Sequence, residues 1–336
     1  MSASVAIVTG GSGGMGPHIG VELAKRGVGT IVFAQRRDAV AAVAAVEAVG
    51  GRAVSLYLDV SSGAGVAAFF GLFSARFDRL DYLVNVSGDC SRTPIAAVAE
   101  AEISAAYAVN AAGPFLMCQA ARPLMWRSGG GAIVNIGSVA GEDGAFAASI
   151  AYSMAKGALK AMMKQLAKNG FPPEAYAPGA PPRSTFPLVR CNNVSPGPVV
   201  TPMLLSMSAA DQQKIRDGTL TDGVTECEEV AKSVRFPAPP FPFTPARTLS
   251  LTSPSPPPSP YTGGLPLARR EKQHGANNCV RGGHSEDVKA RRDGGQHFQP
   301  AHGVVASRPT RPAGLAAGRP RRPPRRPQAA AGRAQS

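Results

Sequence analysis

Six short runs of β-branched and apolar residues recur through the first 200 positions, and stretches of helical spacing separate them. The runs are Val5–Val8, Thr30–Ala34, Ala53–Leu58, Tyr82–Val86, Ala132–Ile136 and Val189–Val194. They are continuous rather than alternating, so both faces of each strand must be covered. Strands covered on both faces and joined through helices make a parallel sheet, which predicts a doubly wound α/β domain. A helix is expected over Pro17–Arg26, with Pro17 at its first position and Gly27 beyond its end. Asp38 is placed to cap a helix over Ala39–Val49, closed by Gly50 and Gly51. Further helices are predicted over 65–77, 100–126 and 152–169.

Two stretches break this alternation. The segment 170–188 carries six prolines between a helix and a strand, an unusual insertion within a compact domain. After Phe236 the pattern stops: FPAPPFPFTP, SPSPPPSP and RPRRPPRRP follow, and only Gly303–Ala306 hints at a strand. The chain therefore divides into a domain over 1–236, with its insertion at 170–188, and a Pro/Arg-rich tail over 237–336 expected to be disordered. Both proline-rich regions have the composition of translated GC-rich non-coding DNA. The formal charge of +14 also divides there, with 16 basic against 4 acidic residues after position 236 and 20 against 18 before it. The front is nearly neutral, so the whole-chain basicity is no guide to its function. No aromatic residues interleave the tail arginines, which argues against a selected nucleic-acid role. No apolar run approaches the roughly 18 residues of a membrane span, and no basic, apolar leader precedes Val5. Five scattered cysteines without C-x-x-C spacing fit a reducing, cytoplasmic setting and give no metal site.

Thr9-Gly10-Gly11-Ser12-Gly13-Gly14-Met15-Gly16 lies between the first strand and the first helix. Glycines in that place let backbone N–H groups approach a pyrophosphate at a helix N-terminus. Two registers fit, G-x-G-x-x-G on Gly11, Gly13 and Gly16, or T-G-x-x-x-G-x-G on Thr9, Gly10, Gly14 and Gly16. At the end of the second strand, where an NAD site presents a carboxylate to the ribose, the chain reads Gln35-Arg36-Arg37. Two guanidinium groups suit a 2′-phosphate, which favours NADPH over NADH.

Tyr152 and Lys156 stand at i and i+4 on one helix face. A phenol ionises near pH 10, and lowering that by about three units requires roughly 4 kcal/mol of phenolate stabilisation. A nearby ammonium is one source. Lys160, Lys164 and Lys168 on the same helix read as a solvated stripe. Ser138 ends the strand before this helix, at the side where doubly wound folds place ligands.

Thr9–Gly16, Ser138, Tyr152 and Lys156, with Asp59-Val60, Asn110 in YAVNAAGPF and Ser195–Pro202, resemble the short-chain dehydrogenase/reductase family over residues 3–236. Within that family the chain is most similar to 3-oxoacyl-acyl-carrier-protein reductases. The resemblance implies a Rossmann-like sheet and a homodimer or homotetramer. It makes Tyr152 the proton donor to a carbonyl oxygen, Lys156 the group that depresses its pKa and binds the nicotinamide ribose, and Ser138 the polariser of the carbonyl. Asn110 would hold a water of the proton relay. Gly10, Ser12, Gly14, Met15 and Gly16 would form the pyrophosphate turn, and Asp59 and Val60 would border the adenine. Val199 and Thr201 would meet the carboxamide, and Asn85, Ser87, Gly88 and Gly197 would complete the cofactor site.

Three departures from the family pattern stand out. Val86 replaces an amide that normally ties down the central sheet. The 170–188 insertion separates the helix of Lys156 from the sixth strand. No seventh strand is evident after Phe236, although Tyr261–Gly264 resembles the turn beside it, so an open sheet edge is expected. The leading reading is an NADPH-dependent reductase of a 3-oxoacyl-like or other small ketone. The alternative is an incomplete, catalytically impaired relative that binds cofactor at best.

Overall fold

All six predicted strands form, because each apolar run has helices to cover it on both faces. The computed structural model describes residues 3–145, 148–217, 219, 223–234 and 248–251. Every described residue lies in the unit Met1–Gly264. In chain order the elements are β1 Val5–Thr9, α1 Met15–Lys25, β2 Thr30–Gln35, α2 Val40–Glu47, β3 Ala53–Tyr57, α3 Gly63–Ser74 and β4 Tyr82–Asn85. There follow α4 Glu100–Tyr107, α5 Gly113–Arg127, β5 Gly131–Ile136, α6 Ile150–Lys168, β6 Val189–Pro196, α7 Pro202–Leu205, α8 Ala209–Asp217, α9 Cys227–Ser233 and β7 Thr248–Leu251.

The strands form one parallel sheet in the order β3-β2-β1-β4-β5-β6-β7. One face is packed by Ile19 and Leu23 of α1, Val46 of α2 and Val230 of α9. The other is packed by Phe69, Phe70 and Phe73 of α3, Met117 of α5, and Met163 and Leu166 of α6. No helix among the described residues is long and apolar enough to cross a membrane.

The expectation of a missing final strand is overturned. β7 pairs with β6 from Thr248 opposite Asn193 to Leu251 opposite Pro196, which covers the edge predicted to be open. Thr-Leu-Ser-Leu between proline-rich runs is too short to show a period, and the neighbouring strand makes it β. Gly303–Ala306, Tyr261–Gly264 and the rest of the expected disordered tail lie outside the described residues.

Other boundaries shift for local reasons. α1 starts two residues before Pro17, and Gly27 follows its end at φ +84°. Asp38 accepts from Ala39 N at 2.8 Å instead of capping α2, whose cap position is Ala39. The predicted helix over 100–126 is interrupted by a π-helical turn at Ala108–Ala112. The 170–188 insertion folds into two short 3-10 turns, Pro173–Tyr176 and Arg183–Thr185. Its ends meet where Val189 N donates to Gly170 O at 2.9 Å, and Trp126 Nε1 donates to the same oxygen at 3.0 Å. It therefore closes on itself at the N-terminal end of β6, the end of the sheet opposite Ser138.

The centre of the sheet is tied without an amide at position 86. Thr9 Oγ1 accepts from Val86 N at 2.9 Å and Ser87 N at 3.0 Å. Thr9→Val keeps the shape but leaves both N–H groups without this acceptor. Urea unfolding is expected to show a loss of about 2 kcal/mol, and an unchanged midpoint would contradict this role for Thr9.

Candidate active site

The strand order reverses between β1 and β4, which opens a crevice beyond the carboxyl ends of those strands. The glycine-rich turn lies at its floor. Gly10 and Gly14 have φ of +72° and +58°, and a Cβ on Gly16 would overlap the Gly10 carbonyl. Gly11 is packed closely against Phe33 and Gly13 is open, but of the turn's glycines only Gly10 and Gly14 take positive φ, which matches the Thr9-Gly10-x-x-x-Gly14-x-Gly16 register. α1 then begins with no side-chain cap and no acidic residue in its first turn, leaving N–H groups and the positive dipole end for an anion. Ser12 is exposed at the lip and Met15 is partly buried against the core.

Ser138, Tyr152 and Lys156 converge at the end of β5. Ser138 sits in extended backbone just after that strand, its hydroxyl oxygen accepting from Ala140 N at 3.1 Å. The same hydroxyl lies near the Tyr152 phenol and acts to lower its pKa. Lys156 is 5% exposed and donates from Nζ to Ile136 O at 2.8 Å. Nζ lies 5.6 Å from the Tyr152 ring centroid. Burial pushes the phenol up to about 12 against a partial offset from Ser138, and burial brings the ammonium down to about 8. The expected depression of the tyrosine is therefore not a property of the chain alone, because Lys156 bonds the Ile136 carbonyl and is itself desolvated.

Asn110 is fully buried on the π-helical turn. Its Nδ2 donates to Asp89 O at 2.8 Å and Ala106 O at 3.0 Å, while Oδ1 accepts from Asp89 N at 3.3 Å. A Cβ on Gly88 would lie 3.0 Å from that oxygen and 3.7 Å from Lys156 Nζ, so Gly88 lets the β4 end pass close to both.

The remaining candidates divide. Arg36 and Arg37 are exposed after β2, and Arg36 adds to the lowering of the Asp59 carboxyl, which is caused mainly by hydrogen bonds from Ser61. Val60 is buried beside Gly113. Thr201 Oγ1 accepts from Leu204 N at 3.4 Å, and its methyl group would meet a Cβ on Gly14 at 3.4 Å. Thr201 thus brings the segment from Gly197 through Val199 towards the glycine turn. Ser87 lies against Gly10. Asn85 points elsewhere: its Nδ2 donates to Asn135 Oδ1 at 2.7 Å, inside the sheet. Lys160, expected on a solvated stripe, is partly exposed and pairs with Glu142 at 3.1 Å.

Sequence reasoning missed two features. Ser149 caps α6 three residues before Tyr152, and a serine ahead of an apolar helical run was the available signal. Gln35 is 6% exposed, its amide lies against Gly11, and neither its Nε2 nor its Oε1 has a hydrogen-bond partner.

Residues 4–212 match the family model described as short chain dehydrogenase. The chain belongs to that family. Its members are NAD(P)-dependent oxidoreductases of carbonyl and alcohol substrates. An uncharacterized oxidoreductase of Methylorubrum extorquens is 36% identical over 203 residues, covering 60% of this chain and 75% of that one. A 3-oxoacyl-[acyl-carrier-protein] reductase of Synechocystis is 35% identical over 185 residues, 53% of this chain and 74% of the relative. A cyclopentanol dehydrogenase of Comamonas is 30% identical over 236 residues, 69% and 88% of the two chains. A Burkholderia xenovorans crystal structure assigned to the short-chain dehydrogenase/reductases shares the fold. It has a TM-score of 0.61 at 23% identity, covering 75% of this chain and 98% of that one.

Burial of Lys156 has a pH signature. Below about pH 8 the folded and unfolded chains both hold its proton, and burying the ammonium costs stability. Between about 8 and 10.5 only the unfolded chain keeps the proton, so this group's contribution rises with pH. Tyr152 acts oppositely between 10.0 and about 12, where only the folded chain keeps its proton. Lys156→Met is expected to be more stable than the parent near neutral pH by on the order of 1–2 kcal/mol. Urea unfolding at a second pH, near 10, should show that advantage shrinking. A pH-independent difference would show that Lys156 is not desolvated.

Proposed function

We propose that this short-chain dehydrogenase is an NADPH-dependent reductase of small ketones, with 3-oxoacyl-like compounds as the leading substrate class. One observation carries the reading: Tyr152 and the buried Lys156 stand together at the end of β5, where Ser138 follows the strand, beside the glycine-lined crevice. The names of the Synechocystis and Comamonas relatives add support for carbonyl and alcohol chemistry.

The residues present fit a dinucleotide. The uncapped α1 N-terminus and the glycines at 10, 14 and 16 leave room for a pyrophosphate, and the unpartnered Gln35 amide lies under the turn. Arg36 and Arg37 would take the 2′-phosphate, Asp59 and Val60 the adenine side, Ser87 and Gly88 the middle, and Gly197, Val199 and Thr201 the nicotinamide end. Asn85 acts from within the sheet, holding β4 to β5. When bound, NADPH supplies hydride to the carbonyl carbon.

The chain's own groups manage the oxygen. Ser138 donates a hydrogen bond to the incoming carbonyl oxygen, which raises the positive character of the carbon. Tyr152, held protonated well above neutral pH, gives its proton to that oxygen as the alcohol forms. Lys156, still mostly an ammonium at neutral pH, binds the nicotinamide ribose and supports reprotonation of the phenol. Asn110, clamped to the backbone of Asp89, holds a water at the inner end of this path.

α6 also presents Met154, 53% exposed, and Ile150 away from the sheet, and this apolar surface suits the same helix of a second copy in a homodimer or homotetramer. The cytoplasm is the proposed setting. The pairing of β7 with β6 supports the reductase reading over that of an impaired relative, which rested on a missing final strand.

Two measurements test the assignments. Tyr152→Phe should lower kcat by about 10²–10⁴-fold while leaving NADPH affinity nearly intact, and Lys156→Ala should damage both; equal, mild losses would reject these roles. Arg36→Ala should weaken NADPH more than NADH in parallel titrations, and an unchanged preference ratio would move the phosphate contact elsewhere.

A further inference from the structure

A carboxylate outside the assigned site is connected to the helix that carries Tyr152. Glu102, in the first turn of α4, accepts from Ser91 Oγ at 2.5 Å. Ser91 Oγ lies 2.7 Å from Ser149 Oγ, and Ser149 Oγ accepts from Tyr152 N at 3.4 Å. The same two serines are joined again through the backbone, where Ser149 N donates to Ser91 O at 2.9 Å.

The direction of this chain is fixed at one end. An ionised carboxylate can only accept, so Ser91 gives its single hydroxyl proton to Glu102. Only lone pairs then face Ser149, whose own proton must point to Ser91. That leaves a lone pair of Ser149 for the Tyr152 amide. Ser149 is 2% exposed, so a hydroxyl turned the wrong way finds no water. The hydroxyl bond from Ser91 is the largest cause holding the Glu102 carboxyl below its usual range, which keeps it an acceptor.

The geometry points to Glu102 as a positioning residue for Tyr152, acting through Ser91 and Ser149 on the first turn of α6. Without the acceptor, the Ser149 hydroxyl is free to rotate, the amide of Tyr152 loses its cap, and the phenol drifts from Ser138. Misplacement of a reacting group by about 1 Å costs up to about 10²-fold in rate. This inference rests on Tyr152 being the proton donor, whereas Glu102 touches neither substrate nor cofactor.

The test uses the full chain with NADPH and ethyl acetoacetate. Glu102→Ala should lower kcat about tenfold, with NADPH affinity and the KM for the ketone nearly unchanged. Glu102→Gln, which retains an acceptor oxygen, should recover most of the loss. Ser91→Ala should match Glu102→Ala, and the double variant should be no slower than either, because both break one chain. Additive losses in the double variant, or an unaltered kcat in Glu102→Ala, would overturn the proposal. So would a parallel fall in kcat, NADPH affinity and melting temperature that Glu102→Gln does not rescue. Tyr152→Phe is run alongside to separate the two readings. If it is inactive while Glu102→Ala is unaffected, only the positioning role fails. If it keeps full turnover, the assignment of the proton donor fails with it.

Discussion

The structure is organised around an ammonium buried at the end of a parallel strand. Lys156 has lost its water and keeps one bond to the Ile136 carbonyl, an arrangement that folding must support elsewhere. That bond fixes α6 against the end of β5, and the close approach explains a neighbouring glycine: a Cβ on Gly141 would lie 2.5 Å from the Lys156 carbonyl carbon. The same burial that lowers the lysine raises the tyrosine. The chain by itself therefore keeps the phenol protonated, the state a carbonyl reduction requires of its acid.

The sheet supports this cluster with side-chain bonds between strand ends. Thr9 joins β1 to the segment after β4, Asn85 joins β4 to β5, and Asn135 Nδ2 lies 2.7 Å from Met163 Sδ of α6. These contacts sit at or just below the carboxyl ends, under the crevice. The proline-rich insertion sits at the other end and closes through Gly170 and Val189. Such a placement explains how the domain accommodates the proline-rich segment without disturbing the groups around Tyr152.

Much of this was legible in the sequence because parallel strands covered on both faces announce themselves as unbroken apolar runs. The glycine turn, Ser138, Tyr152 and Lys156 were singled out by their resemblance to the short-chain dehydrogenase/reductase pattern, and the fold sets Tyr152 and Lys156 side by side at the end of β5. The register of the glycines could not be read, since it depends on the backbone angles at Gly10 and Gly14. β7 was hidden because four residues gain strand character only from β6. The π-helical turn at Asn110 was hidden because its helical spacing looks continuous. Asp38 and Lys160 took partners, Ala39 N and Glu142, that local pattern does not distinguish from a cap and from solvent. The Glu102–Ser91–Ser149 chain joins positions remote in sequence, and only the folded chain brings them together.

The protonation state of Tyr152 in the cofactor-free protein tests this account most directly, and it needs no knowledge of the substrate. Ultraviolet difference titration of the parent against Tyr152→Phe isolates its ionisation. The account predicts no tyrosinate signal assignable to Tyr152 below about pH 10, where an ordinary phenol begins to ionise. A Tyr152-dependent tyrosinate near neutral pH would contradict it, because Lys156 would then be stabilising the phenolate rather than sharing a desolvated site with a protonated phenol.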